Sequence, residues 1–213
     1  MTCTPKMNKS NMYIAIAGNI GSGKTTLTGL LAEHFGCISL HENLEDNPYI
    51  SDFYTDMRRW AFNLQIYFLQ KRFATIIEAH KNNKYIIQDR TLYEDAYIFA
   101  PNLYGLRLLS DKDYDTYISL FNLMISLTPT PDLLIYLRAS VSTLFNLIVK
   151  RGRKYESSIR LDYLSSLNQR YEKWIESYNG RKIVIDVDNF DINNGKEVGK
   201  VIEKIDKEIK DLF

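Results

Sequence analysis

The stretch MYIAIAGNIGSGKTTLTGLLAEHFG, residues 12–36, constrains the fold of this chain more than any other. MYIAIAG (12–18) is a short apolar run that ends at glycine, the pattern of a buried strand. KTTLTGLLAEHF (24–35) has helical periodicity and stops at Gly36, a residue suited to a left-handed helix end. Between them Gly18, Gly23, Lys24 and Thr25 fit G-x-x-x-x-G-K-[ST]. The glycines let the backbone curl so that the N–H groups from Gly18 through Asn19, Ile20, Gly21, Ser22, Gly23 and on to Thr26 face phosphate oxygens. The helix N-terminus adds partial positive charge. Lys24 is suited to the β- and γ-phosphates of ATP, and the Thr25 hydroxyl to Mg²⁺.

The rest of the chain repeats this alternation. CISLHE (37–42), KYIIQDR (84–90), PDLLIYLR (131–138) and KIVIDVD (182–188) read as strands. Helices are expected at about 57–80, from LYEDAYIFA to just before Pro101, over DYDTYISLFNLMISL, at 140–151 and 160–178, and at the C-terminus. The expected fold is therefore α/β: a five-stranded parallel sheet with helices on both faces. In such sheets ligands lie beyond the carboxyl ends of the strands, here just after residues 18, 42, 90 and 138. Residues 1–11 read as a disordered leader, and 12–213 as a single domain with a lid at about 150–157.

Composition narrows the partners. The net charge is +1 over 213 residues, which points to neither nucleic acid nor a membrane surface. No run of about 18 apolar residues is present. Cys3 and Cys37 are the two cysteines and lack metal-ligand spacing, so a reduced cytoplasmic protein is expected. His34, His41 and His80 likewise have no partner at ligand spacing and read as surface or helix-end residues.

Transfer of a phosphoryl group to an alcohol needs a base, a cation on the moving group and an anchored metal. Glu42, at the end of the second strand, is the candidate base. Arg90 can brace the hydroxyl and the incoming phosphoryl group, and Asp89 can hold the metal or its water shell. A regulatory GTPase would need an N-K-x-D segment, and none occurs.

These pieces are similar to a known family. GNIGSGKTT, HENLEDNPY, FYTDMRRWAFNLQIYFLQKR, QDRTLYEDAYIFAPNLY, PDLLIYLR and KRGRKYE, in this order, resemble the deoxynucleoside kinases, most closely the bacterial deoxyadenosine/deoxyguanosine kinase branch. The resemblance implies a P-loop kinase fold with a basic lid, Mg²⁺, a homodimer, and phosphorylation of a 2′-deoxynucleoside 5′-hydroxyl by ATP. It implies that Glu42 is the base and that Asp89 and Arg90 form the family's acid–arginine pair. By the same resemblance Tyr54 and Glu156 meet the 3′-hydroxyl, Gln65, Arg72 and Asp95 read the base, Phe99 stacks on it, and Arg151 and Arg153 are lid arginines. The chain departs from the family's pattern at Tyr155 and Leu147, with Lys150 and Lys154 as replacement charge.

The residues read by themselves agree. Gln65 and Arg72 lie seven positions apart, two helical turns, and share a face about 10.5 Å long. Framed by apolar residues, both need polar partners if buried, and a nucleobase edge supplies them. Asp95 and Phe99 are neighbours on the next helix, and Asp95 can accept from an exocyclic amine or pair with Arg72. KRGRK (150–154) can close over donor phosphates and exclude water. Two alternatives remain at this point: a thymidylate-kinase-type enzyme, which phosphorylates a phosphate and needs no base like Glu42, and a nucleotide-binding module without turnover.

Overall fold

A computed structural model describes residues 11–41, 46–82, 85–153, 156, 159–190, 192 and 194–210. Among them five strands form one sheet: β1 (Tyr13–Gly18), β2 (Ile38–Leu40), β3 (Ile86–Asp89), β4 (Leu133–Arg138) and β5 (Lys182–Asp186). Their order is β2-β3-β1-β4-β5, and every pairing is parallel, as the alternation of elements predicts.

β1 is central and buried along its whole length. Tyr13, Ala15 and Ala17 face one core, and Ile14 and Ile16 the other. The first core is closed by α2 (Ile50–Thr55), α3 (Met57–Lys81), α4 (Leu92–Glu94), α5 (Ala100–Gly105), α6 (Asp111–Ile125), α7 (Val141–Arg151) and α8 (Leu161–Ser177). The second is closed by α1 (Lys24–Phe35) and α9 (Gly195–Lys210), with Leu27, Leu31, Ile205 and Ile209 against the sheet. Cys37 packs against this second core, and burial pushes its thiol up to about 11. After β1 the chain winds outward to β2, returns to β3, and then crosses to β4 on the other side of β1. The reversal opens a crevice at the carboxyl ends of β1 and β3.

Several expectations need correction. The helix that begins at Leu92 does not stop before Pro101. Asp95–Phe99 form a π-helical turn in which the Ala100 N–H donates to the Asp95 carbonyl, and α5 continues through Pro101 to Gly105. Proline ordinarily breaks a helix because its ring meets the carbonyl four residues back. The wider turn shifts the carbonyls, and Pro101 sits in the first turn of the following segment, where its missing N–H is not needed. The strands are shorter than read: β5 ends at Asp186, whose side chain accepts from the Asp188 N–H and starts a tight 3₁₀ turn. Helix α2, six residues long, is too short for its periodicity to register. At the end of β4, Arg138 pairs with Glu172 at 2.8 Å. The expected leader falls, apart from Asn11, outside the described residues. No described helix is long and apolar enough to cross a membrane.

Gly21 has φ +87°, and a Cβ there would stand 2.9 Å from the Leu144 carbonyl oxygen and 2.8 Å from Ile148 of α7. Gly21→Ala is therefore expected to cost about 1–3 kcal/mol and to weaken nucleotide binding. Urea unfolding and ATP titration check this, and wild-type values in both would contradict it.

Candidate active site

The phosphate loop leaves β1 at Gly18 and reaches α1 at Lys24. Lys24 is buried and donates from Nζ to the Asn19 carbonyl at 2.9 Å, so its ammonium lies within the curl of the loop. The Asn19 side chain faces away from that interior: Nδ2 donates to the Leu164 carbonyl and to Asn168 Oδ1, both at 3.1 Å, tying the loop to α8. Thr25 and Thr26 are exposed. Gly23, Thr26, Thr143, Leu147, Lys150 and Phe190 line an outer cleft that also takes in Lys24, Thr25, Arg151 and Arg153.

At the end of β3 the Thr25 hydroxyl donates to Asp89 Oδ2. Asp89 Oδ1 is buried and has no hydrogen-bond partner among the described residues. A hydroxyl beside an unsatisfied carboxylate oxygen at a phosphate loop fits a hard divalent cation that takes its remaining ligands from phosphates and water. No group of three or more His, Cys, Asp or Glu side chains gathers elsewhere among the described residues to hold a metal. Arg90 follows with φ +67°, a left-handed conformation uncommon outside glycine. Its backbone N–H donates to the Ile16 carbonyl at 3.0 Å, and its guanidinium lies 4.4 Å from the centre of the Phe99 ring. One cavity takes in Lys24, Asp89 and Arg90 together with Tyr54, Gln65, Arg72, Asp95, Phe99, Arg151, Arg153 and Glu156. Glu42 lies outside the described residues.

The far wall of the cavity is polar and dry. Gln65 is 3 % exposed and Asp95 1 % exposed. The Arg72 guanidinium donates to Asp95 Oδ2 and also sits over the Phe68 ring, 4.7 Å from its centre. Gln65 Oε1 is buried with no partner among the described residues. The shared face read for Gln65 and Arg72 is thus turned into the cavity and not toward solvent. The Phe99 ring, expected to carry a base, carries the guanidinium of Arg90 on one face.

At the lid, Arg151 forks onto Glu156, with Nη2 at 2.6 Å from Oε1 and Nε at 3.1 Å from Oε2. Arg153 lies 3.6 Å from the same carboxylate. The resemblance implies arginines on phosphate and a glutamate on sugar, whereas here the three side chains engage one another inside the cavity. Lys154 and Tyr155 lie outside the described residues.

Two contributors escape the sequence reading. Tyr163 of α8 lines the cavity. Glu94, fully buried, accepts from the Gly18 N–H at 3.2 Å, the Thr91 N–H at 2.9 Å and the Tyr171 hydroxyl at 2.8 Å. Burial pushes its carboxyl above the usual carboxylate range, against the opposing pull of Arg90 and Lys24. The spacing Thr91-x-x-Glu94 is a capping-box signature and was the available signal.

Comparison with known proteins gives the family and the fold. The family model described as deoxynucleoside kinase matches residues 14–210. A deoxyadenosine/deoxycytidine kinase of Bacillus subtilis strain 168 is 38 % identical over 208 residues, covering 94 % of each chain. A deoxyadenosine kinase of Lactobacillus acidophilus is 36 % identical over 211 residues, covering 93 % of this chain and 97 % of the relative. The solved structure of deoxyadenosine kinase from M. mycoides, with dCMP and a flexible dCDP as bound products, superposes with a TM-score of 0.83 at 33 % identity, over 92 % of this chain and all of the other. The chain belongs to the deoxynucleoside kinase family. It is accordingly a phosphotransferase, and the thymidylate-kinase and non-catalytic alternatives fall away.

The buried pair makes a stability prediction. Asp95→Ala leaves the Arg72 charge in the interior without this carboxylate and is expected to cost about 3–5 kcal/mol. Arg72→Met/Asp95→Ala removes both charges and should cost distinctly less than the single change. Urea unfolding of both variants checks the ordering, and equal losses would contradict it.

Proposed function

We propose that this kinase transfers the γ-phosphate of ATP to the 5′-hydroxyl of a 2′-deoxynucleoside, with deoxyadenosine preferred, in cytoplasmic nucleoside salvage. The observation that carries the reading is the single cavity in which the phosphate loop, the Asp89–Arg90 pair and the buried Gln65–Arg72–Asp95 group face one another.

In this reading the base lies against Gln65, Arg72 and Asp95, flanked by Phe99. Adenine offers a 6-amino donor, and the buried Gln65 Oε1 is an acceptor suited to it. Thymine has no exocyclic amine to offer Asp95, and a mismatched edge that leaves the buried Arg72 or Asp95 unsatisfied costs about 1–3 kcal/mol. Guanine is met by a turned Gln65 amide, and cytosine carries an amine of its own. Adenine ranks first because two of the relatives above are named deoxyadenosine kinases and a third is named for deoxyadenosine and deoxycytidine. Tyr54 and Glu156 take the 3′-hydroxyl, which requires Glu156 to exchange part of its hold on Arg151 for the sugar.

Glu42 accepts the proton of the 5′-hydroxyl. The oxygen then bonds to the γ-phosphorus as the bond to the β–γ bridging oxygen breaks and ADP leaves. Lys24, Arg90, Arg151 and Arg153 meet the charge on the transferring group. The loop N–H groups from Gly18 to Thr26 hold the donor phosphates. Thr25 and Asp89 would hold Mg²⁺, which would offset charge on the donor phosphates. The lid spans about 150–157 within a single domain over 12–213. A homodimer is the proposed assembly, supported by the apolar surface at Tyr97, Leu123 and Leu127, which are 48 %, 62 % and 62 % exposed.

A coupled ADP-release assay across the four deoxynucleosides and their ribose counterparts tests the acceptor. Deoxyadenosine is expected to have the highest kcat/KM, and thymidine to fall about 5–150-fold below it. A thymidine preference would remove the base-reading assignment. Glu42→Gln keeps the shape and removes the proton acceptor, so kcat is expected to fall about 10²-fold with little change in KM. A loss confined to KM would make Glu42 a positioning residue.

A further inference from the structure

The backbone of Gly18 is held at both its N–H and its carbonyl by the turn after β3. Its N–H donates to Glu94 Oε1 at 3.2 Å, and the Arg90 Nη2 donates to its carbonyl at 3.5 Å. The same Glu94 oxygen accepts from the Tyr171 hydroxyl of α8, and the other oxygen accepts the Thr91 N–H. Three donors therefore converge on one carboxylate with no solvent exposure, from three segments far apart in sequence. The accepted hydrogen bonds from Thr91 and Tyr171, with the charges of Arg90 and Lys24, favour the ionised form against the burial that raises this carboxyl above the usual carboxylate range. Burial keeps the Tyr171 hydroxyl protonated, well above the usual phenol range, so it remains a donor. The carboxyl of Glu94 interacts electrostatically with Arg90 and Lys24, two cations that line the cavity.

We propose that Glu94 is a positioning residue for phosphoryl transfer: its carboxylate locks the first peptide of the phosphate loop to the Arg90 turn and orients Arg90 and Lys24 toward the reacting phosphate. The proposal rests on the kinase reading above. A capping-box glutamate alone would need one oxygen on Thr91, would lie near water, and would be replaceable by glutamine. Glu94 uses its second oxygen on β1 and α8 instead. Glutamine at this position keeps size and one acceptor, but brings an NH₂ against N–H and O–H donors and removes the charge. The Thr91 N–H, next to the left-handed Arg90, and the Gly18 N–H both depend on this side chain as acceptor.

The test uses the full chain and Glu94→Gln, with two readouts. Steady-state kinetics with deoxyadenosine and ATP are expected to show kcat reduced about 10–100-fold, with deoxynucleoside KM within about threefold because the base wall is untouched. Amide hydrogen exchange, which needs no substrate, is expected to be faster over residues 18–24 in the variant. Retention of more than half of kcat, a loss confined to KM, or unchanged exchange over the loop would each overturn the proposal. If wild type turns over no deoxynucleoside, the kinase reading fails and the exchange measurement decides for Glu94 by itself. Should Glu94→Gln not fold, Tyr171→Phe removes one donor to the same oxygen. It is then expected to lower kcat about threefold at constant KM, and an unchanged kcat would overturn the proposal.

Discussion

The structure depends on the burial of β1 on both faces at the centre of a parallel sheet. A strand with apolar contacts above and below and a hydrogen-bonded neighbour on each side has no freedom to slide or tilt. Its last residue, Gly18, is thereby fixed, and the phosphate loop begins from a fixed point. β3 pairs with β1 in register up to Ile16 opposite Asp89, which brings Asp89 and Arg90 beside the loop without any contact of their own having to be strong. The chemistry of the site inherits its precision from sheet register.

A second layer of constraint is electrostatic. Lys24, Arg72, Arg90, Arg151 and Arg153 converge on one cavity, and each cation carries a cost when removed from water. Asp95 meets Arg72, Glu156 meets Arg151 and Arg153, and Glu94 faces Arg90 and Lys24. The carboxylates allow a cationic pocket to exist in a folded protein of almost no net charge. They also grade it: Arg72 and Asp95 are both buried, whereas Arg151 and Arg153 are partly exposed.

Much of this was legible from short-range pattern. The strand, loop and helix around Lys24 lie within 24 residues, and glycines with special conformations report themselves locally. Gln65 and Arg72 share a helix, so their common face follows from periodicity. Glu94 was missed because its partners Gly18 and Tyr171 are 76 and 77 positions away, and nothing local says that a capping glutamate will be buried. The pairing of Glu156 with Arg151 lies close in sequence, yet five-residue spacing across a glycine carries no periodic signal. Pro101 misled for a different reason: the rule that it ends helices assumes that the preceding turn has ordinary width.

That wider turn has a consequence for the helix from Leu92 to Gly105. A π turn accommodates one extra residue, which offsets the angular phase of everything after it by about 100°. Glu94, just before the bulge, faces the phosphate loop and Asp95, its first residue, faces Arg72, while the segment after it presents Ala100 and Leu103 to the core. The two halves can thus be indexed separately on one continuous rod. A single-residue deletion between Asp95 and Phe99 would restore ordinary winding and leave the hydrogen-bond count nearly intact, yet it would force a choice between a correctly aimed carboxylate and a correctly packed interior. The bulge thus works like a keyed coupling, setting the two halves of one rod at separate fixed angles while both stay packed.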